Sequence, residues 1–318
     1  MRRIPIERPA SAILWDGDQV VDPVGGSFWD YPFDTALRSP SGRFTVLYAE
    51  RGIKGEVLDN GRPIRELNRS YAHAGSFDFP IAVGALPDGR EVVAYCPEQY
   101  NVLHIEDLAT GERLTSRAPA EPKDQFHSRL EFAPSGRFLL VAGWVWQPFG
   151  IASLWDLPAA IADPALLDSW GTVEFGGEFD EEITAACWLD DDRILVASTD
   201  PWAMGLGRAA AATGATAKPG EIGVWSVASG SWLKRATVDR PLGNLIGLGD
   251  RAVALYAHPA LIDAETGAVI EEWPDIDTGM RSGSYGVTHI PNPKVALYPD
   301  RTRLAIAQPD HIAVLDLR

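Results

Sequence analysis

The sequence predicts an all-β protein built from six repeated units, each a small sheet of four short strands. Three observations predict this fold: a strand–turn–strand pattern that recurs six times, a third strand that follows most copies, and an aromatic residue that precedes five of them. Hydrophobic residues make up 46% of the 318 residues and charged residues 23%, so the chain has enough apolar side chains for a large core.

The clearest element is a pair of strands joined by a turn of the Pro-(Ser/Asp)-Gly-Arg type. The turn glycines of the first three copies, Gly42, Gly89 and Gly136, are evenly spaced at intervals of 47 residues. Proline presets the first dihedral of such a turn, and glycine or aspartate tolerates the later ones. Three degenerate copies follow, and the six pairs begin at Ala36, Val83, Leu130, Ala185, Leu245 and Val295.

Most of these pairs are followed by a third strand and a short turn into a fourth. The third strands begin at Val102, Ile151, Ile222, Leu261 and Ile312, and the second of them ends in Trp155-Asp156. Four short strands per unit, with a Trp-Asp ending on a third strand, make the chain resemble the WD40-like repeats of β-propellers. The resemblance covers nearly the whole chain. It implies one β-propeller domain over residues 1–318, with six four-stranded blades.

The chain ends just after a third strand, so the last blade lacks one strand. We expect an N-terminal segment, residues 13–16 or 19–22, to supply this strand and close the ring, which would remove open sheet edges. The same region also has the pattern of an independent hairpin. A seventh, incomplete blade is therefore the alternative to six. Residues 158–169 and 201–220 are expected to be loop insertions.

A second repeat lies just ahead of the strand pairs, where the innermost strand of each blade would begin. Its aromatic positions should ring the mouth of the central channel, and they are Phe28, Phe77, Phe126, Phe179 and Tyr285. In one interpretation these rings fill the gaps between blades as core. In the other, some of them, or the adjacent Trp29 and Phe79, form a rim that binds a partner.

Carboxylates accompany the aromatic positions: Asp30, Asp78, Asp124, Asp180, Glu181, Glu182 and Asp239. Singly, such residues cap turns and solvate loops. Together they would form an acidic mouth that attracts a basic partner or holds a cation. No cofactor is expected, and Ca²⁺ or another divalent metal is the alternative. The candidate metal ligands would be Asp30, Asp78, His127, Asp180 and Asp239.

Large apolar residues occupy unusual connections in the third and fourth units, at Trp144, Trp146, Phe149, Trp202 and Met204. Exposed apolar clusters often mark partner sites, although the two loops would alternatively pack on each other. The expected partner-binding residues are therefore Trp29, Phe79, Trp144, Trp146, Phe149, Trp202, Met204, Asp30, Asp78, Asp180 and Glu181.

The charge balance restricts the class of partner. The chain has 44 acidic and 28 basic residues, a formal charge of −16 and a pI near 4.8. Nucleic acids and anionic membranes are bound by clustered Lys and Arg, so neither is expected as the main partner. No signal peptide or membrane span is expected, and the two cysteines form no CxxC motif. These features favour a cytoplasmic protein, and the Arg and Ala bias is typical of bacteria.

The sequence thus predicts a non-catalytic, protein-binding β-propeller. One concrete form would be an immunity or inhibitor protein that masks a basic partner. No catalytic residue is assigned, because neither HExxH nor GxSxG occurs. The alternative is a metal-dependent six-bladed hydrolase or lactonase with its site in the central channel.

Overall fold

The computed structural model describes residues 1–26, 31–75, 77–118, 121–145, 149–175, 182–198, 220–280 and 293–318. The chain divides into two compact units, one formed by Met1–Ser116 with Pro293–Arg318 and the other by Arg117–Asn292. Helices in the described ranges are short: an α-helix at Leu157–Ala162 and 3-10 helices at Pro23–Gly26 and Pro164–Asp168. None of them has the length and apolarity needed to cross a membrane.

The first unit contains three sheets and a separate hairpin, all antiparallel. Sheet 1 consists of Thr35–Arg38, Phe44–Tyr48, Lys54–Asp59 and Arg62–Asn68. Sheet 2 consists of Ile81–Ala85, Glu91–Tyr95 and His104–Asp107, with a single further bridge from Glu106 to Arg113. Sheet 6 consists of Val295–Leu297, Arg303–Ala307, His311–Asp316 and Arg2–Pro5. The hairpin consists of Leu14–Asp16 and Gln19–Val21.

The second unit contains three larger sheets and one small sheet, also antiparallel. Sheet 3 consists of Leu130–Phe132, Phe138–Val141, Ser153–Asp156 and Val173–Glu174. Sheet 4 consists of Ile183–Trp188, Arg193–Ser198, Gly220–Ser226 and Ser231–Val238. Sheet 5 consists of Asn244–Gly247, Arg251–Tyr256, His258–Asp263 and Val269–Glu272. The small sheet consists of Gln125–Phe126, Trp144–Val145 and Phe149–Gly150.

All six predicted strand pairs are confirmed as the first two strands of sheets 1 to 6. The three turn glycines, Gly42, Gly89 and Gly136, have positive φ angles of 79°, 87° and 70°. Glycine adopts this left-handed region without the steric cost that other residues meet there. The evenly spaced glycines of the sequence therefore mark real turns.

The N-terminal strand of sheet 6 differs from the expectation. An N-terminal strand does complete the last sheet, but it is Arg2–Pro5, which pairs with His311–Asp316, and not residues 13–16 or 19–22 as the sequence predicts. The reason is that Leu14–Asp16 and Gln19–Val21 already pair with each other across a two-residue turn. This hairpin is the segment that the alternative prediction assigns to an incomplete seventh blade.

Neighbouring sheets of the second unit stack face to face. The second strand of sheet 4, Arg193–Ser198, is almost wholly buried. Its Ile194 and Val196 join a core cluster with sheet 3, and its Leu195 and Ala197 join a cluster with sheet 5. Because successive side chains of a strand point to opposite faces, sheet 4 is covered on both sides.

The first unit is packed by the same rule, and its hairpin acts as one of the layers. Trp15 lies in a core cluster with sheet 6, and its indole Nε1 donates a 2.8 Å hydrogen bond to the carbonyl of Ala296. Leu14, on the opposite face, lies in a cluster with sheet 1. Sheet 1 in turn packs against sheet 2, with Val46 and Val93 in one cluster.

The backbones of sheets 4 and 5 approach very closely at Gly247. A Cβ atom added there would lie 2.1 Å from the carbonyl oxygen of Trp188. We expect Gly247→Ala to lower the free energy of unfolding by about 2 kcal/mol or more, since backbone must move to admit the methyl group. Urea unfolding measures the change. The matched control is Gly75→Ala, because a Cβ there meets nothing within 4 Å. Equal effects of the two substitutions would contradict the close packing.

Candidate functional site

Three carboxyl groups of the first unit meet where strands of sheets 1 and 2 begin or end. We call Asp34, Glu50 and Asp78 the carboxyl cluster. Asp34 directly precedes the first strand of sheet 1, and Glu50 follows its second strand. Antiparallel pairing brings these two positions to the same end of the sheet. The backbone N–H of Glu50 donates to Oδ1 of Asp34 at 2.7 Å, and the carbonyl of Glu50 accepts from the N–H of Phe79 at 2.6 Å.

The environment of Glu50 holds its carboxyl group in the neutral form. Burial, the charge of Asp78, a hydrogen bond to Asp78 and the charge of Asp34 raise the pKa of Glu50 to about 9, and the guanidinium of Arg51 opposes them. Glu50 is therefore protonated at neutral pH. The proton allows its carboxyl group to share a hydrogen bond with Asp78 instead of repelling it.

A buried arginine fixes the segment that carries Asp78. Arg69 is only 4% exposed, and burial lowers its pKa to about 10, so it stays charged at neutral pH. Its guanidinium lies 5.1 Å from the ring centroids of both Phe77 and Phe79. It donates hydrogen bonds to the backbone carbonyls of Gly52, Ala74, Phe77 and Asp78. One side chain at the end of sheet 1 thus holds the backbone of Ala74, Phe77 and Asp78.

The contacts of Arg69 decide whether the aromatic side chains of this segment are buried or exposed. Phe77 and Phe79 are buried, and Phe79, at 2% exposure, also contacts the ring of Tyr48 edge-on at 5.7 Å. Phe79 therefore has no surface to offer a partner. For these two residues the structure agrees with the core interpretation of the aromatic repeat. Asp78 lies partly buried in the carboxyl cluster.

A second surface, in the second unit, carries an exposed aromatic side chain. Trp144–Val145 and Phe149–Gly150, which the sequence predicts to lie in a loop, are two paired strands. We call this pair of strands the aromatic hairpin. The ring of Trp144 stacks on Phe126 with centroids 3.8 Å apart and planes at 4°. Phe149 is 37% exposed, and the N–H of Gly150 donates to the carboxylate of Glu182 at 3.1 Å. The hairpin is thus held in place while one aromatic face remains open.

The remaining site predictions fall in two groups. Trp29, Asp30, Trp146, Asp180, Glu181, Trp202 and Met204 lie outside the described residues, as does all of 201–220 except Gly220. Of the other metal candidates, Asp239 is exposed, and His127 is 2% exposed with its ring 5.7 Å from that of Trp155. Within the described ranges, no group of three His, Cys, Asp or Glu side chains could hold a metal ion.

Sequence reasoning missed Asp34, Glu50 and Arg69. Nothing in the repeat pattern distinguishes Glu50 from other acidic residues that follow a strand. Its raised pKa results from burial and from neighbours that are distant in sequence. The one available signal is that Glu50 follows the buried strand Phe44–Tyr48 by two residues, where a carboxyl group would stay close to the core.

Comparison with known proteins supports the fold. No family model and no curated protein matches the sequence. Among solved structures, the chain is similar to one in the crystal structure of the mitotic checkpoint complex, with a TM-score of 0.59, 12% identity, and coverage of 99% of this chain and 85% of that chain. Kuenenia stuttgartiensis hydrazine synthase matches with a TM-score of 0.59, 14% identity, and coverage of 98% and 97%.

A third match is the C-terminal WD40 domain of Sif2, with a TM-score of 0.51, 11% identity, and coverage of 94% of this chain and 72% of that domain. The antiparallel sheets of this chain and its similarity to these structures show that it has a WD40-like β-propeller fold.

The neutral Glu50 leads to a pH-dependent prediction. Its pKa is raised above the unfolded value of 4.5, so it stabilises the fold fully at low pH and loses that contribution as pH rises toward about 9. Glu50→Gln keeps the neutral hydrogen-bonding form at every pH. We expect this variant to be more stable than the natural protein at about pH 8, by roughly 1–3 kcal/mol, and the difference to vanish near pH 4.

Thermal and urea unfolding across this pH range measure the effect. The control is Glu66→Gln, because the hydrogen bond from Lys54 lowers the pKa of Glu66. The contribution of Glu66 to stability therefore has the opposite pH dependence. Glu66→Gln should gain no stability at alkaline pH. A Glu50→Gln variant that is less stable than the natural protein at about pH 8 would show that Glu50 is ionised in the fold.

Proposed function

We propose that the chain is a non-catalytic propeller that binds another protein, and that the aromatic hairpin is part of the contact surface. The observation that carries this proposal is the exposure of Phe149 beside a Trp144 ring held by Phe126. Rigid, partly exposed aromatic side chains are typical anchors of protein interfaces, since they bury a large area at low entropic cost. The similar chain in the mitotic checkpoint complex is itself part of a protein assembly, which supports a binding role.

The charge supports a partner with a basic surface. A chain of net charge −16 attracts cationic proteins and speeds their association, and it repels nucleic acids and anionic membranes. Acidic residues near exposed loops would then orient the partner while the aromatic hairpin supplies affinity. An immunity or inhibitor protein that masks a basic toxin or enzyme in the bacterial cytoplasm is the concrete form of this proposal.

The proposal predicts that Phe149→Ala weakens partner binding by about tenfold, because an anchoring ring is removed. Cross-linking and affinity capture from the native cells identify the partner, and calorimetry with the purified partner measures the affinity. Leu166→Ala is the matched control, since Leu166 is an apolar side chain of similar exposure elsewhere in the same unit. Rising salt should also weaken the complex. Indifference of the captured complex to both Phe149→Ala and salt would refute the proposal.

A further inference from the structure

The outermost strand of sheet 4 presents an open edge. Ser231–Val238 is, at eight residues, the longest strand that the structure describes. It is the last strand in the order of its sheet, and within the described ranges no other strand pairs with its outer side. On its inner side it pairs with Gly220–Ser226, with a β-bulge at Leu233, which lies between the Val224–Lys234 and Trp225–Trp232 pairs. Its outer backbone groups are therefore open to a further strand, most regularly from Lys234 to Val238, on the C-terminal side of the bulge.

The outermost strands of sheets 1, 3, 5 and 6 carry features that discourage such pairing. Arg62–Asn68 of sheet 1 contains Pro63, and Arg2–Pro5 of sheet 6 ends in proline. Val173–Glu174 of sheet 3 has only two residues, and Val269–Glu272 of sheet 5 has four and ends in two glutamates. Prolines, short strands and clustered charge are common protections of sheet edges. Ser231–Val238 contains no proline, glycine or acidic residue, and its own protections are the bulge at Leu233 and the adjacent cations Lys234 and Arg235. A strand that carries negative charge would neutralise these cations.

This edge is also rigid. The indole of Trp232 packs against Trp225 at 5.1 Å and against Phe175 at 5.6 Å between ring centroids. These contacts join the strand to its own sheet and to the segment that follows sheet 3. A preorganised edge loses little entropy when another strand binds to it.

The exposed side chains of Ser231–Val238 indicate the chemistry of a strand that would pair with this edge. Leu233 is 54% exposed, and Lys234, Arg235 and Thr237 are exposed beside it. Arg235 also pairs with Glu221 of the neighbouring strand at 3.1 Å. An apolar side chain is thus followed by two cations with no carboxylate on the strand itself. The net charge of −16 acts weakly here, because salt screens charges beyond roughly 8 Å.

We propose that Ser231–Val238 binds an extended segment of another protein as a fifth strand of sheet 4, and that this segment carries carboxylates near Lys234 and Arg235 and an apolar residue near Leu233. Pairing of two copies of this chain about the strand centre is unfavourable. Antiparallel self-pairing about the strand centre would place Lys234 opposite Arg235 of the other copy, and like charges directly opposite each other destabilise a sheet. The proposal goes beyond the function proposed above, since it does not use the aromatic hairpin.

The test uses the full chain and a fluorescent peptide of the strand's length with alternating valine and glutamate. Fluorescence anisotropy should show that this peptide binds at least tenfold more tightly than one of alternating valine and lysine. A central proline in the acidic peptide should abolish binding, because it removes a ladder hydrogen bond. Leu233→Lys should weaken binding at least tenfold, and Lys234→Glu should shift the preference toward the lysine peptide.

The matched control is Ile270→Lys on the outermost strand of sheet 5, which should leave binding unchanged. Both Leu233 and Ile270 are exposed, so unchanged thermal unfolding should show that neither variant loses its fold. Equal binding of the acidic and basic peptides, or equal loss in the Ile270→Lys control, would overturn the proposal. Self-association that Leu233→Lys abolishes would also overturn it, because the occupant would then be a second copy. Failure of the peptide to bind would leave the Phe149→Ala experiment unaffected, so the two proposals can fail separately.

Discussion

Burial of the second strand on both faces is the constraint on which the rest of the structure depends. In all six sheets this strand is a run of buried residues, as in Phe44–Tyr48 and Arg251–Tyr256. A sheet with two apolar faces cannot be stable alone and must be covered on each side by a neighbour. Within each unit the sheets therefore form a stack, and in the first unit the small hairpin at Leu14–Asp16 completes the cover between sheets 6 and 1.

The same constraint confines polar chemistry to the ends and outer edges of the strands. Buried backbone groups at strand ends lie outside the ladder and need other partners. Arg69 supplies four such hydrogen bonds in the first unit. Arg129 acts similarly in the second unit, where its guanidinium donates to the carbonyl of Ala142 at 3.0 Å and to that of Thr184. Both arginines connect adjacent sheets through the backbone, independently of side-chain packing.

The carboxyl cluster and the open edge of sheet 4 illustrate two outcomes of this arrangement. At a strand end, Glu50 is close enough to the core to keep its proton. At the outer edge, Lys234 is far from the core and exposed. The two proposals use the open outer edge of sheet 4 and the aromatic hairpin, where side chains are held by packing but remain accessible.

Local sequence predicted the repeats well, because the turn at Gly42, Gly89 and Gly136 and the apolar strands beside it are encoded within a few residues. It failed for features that depend on distant partners. Arg2–Pro5 has no distinctive strand pattern, and its place is decided by the edge of His311–Asp316 at the other end of the sequence. Whether Phe77 and Phe79 are core or surface depends on Arg69, which the aromatic repeat pattern does not include.

Hydrogen exchange of the native protein tests the central constraint most directly. If every sheet depends on cover from both sides, the amides of all six second strands should exchange far more slowly than those of the outermost strands. In sheet 5, for example, Arg251–Tyr256 should be strongly protected while Val269–Glu272 exchanges early. A second strand that exchanges as fast as the outermost strand of its own sheet would contradict the account.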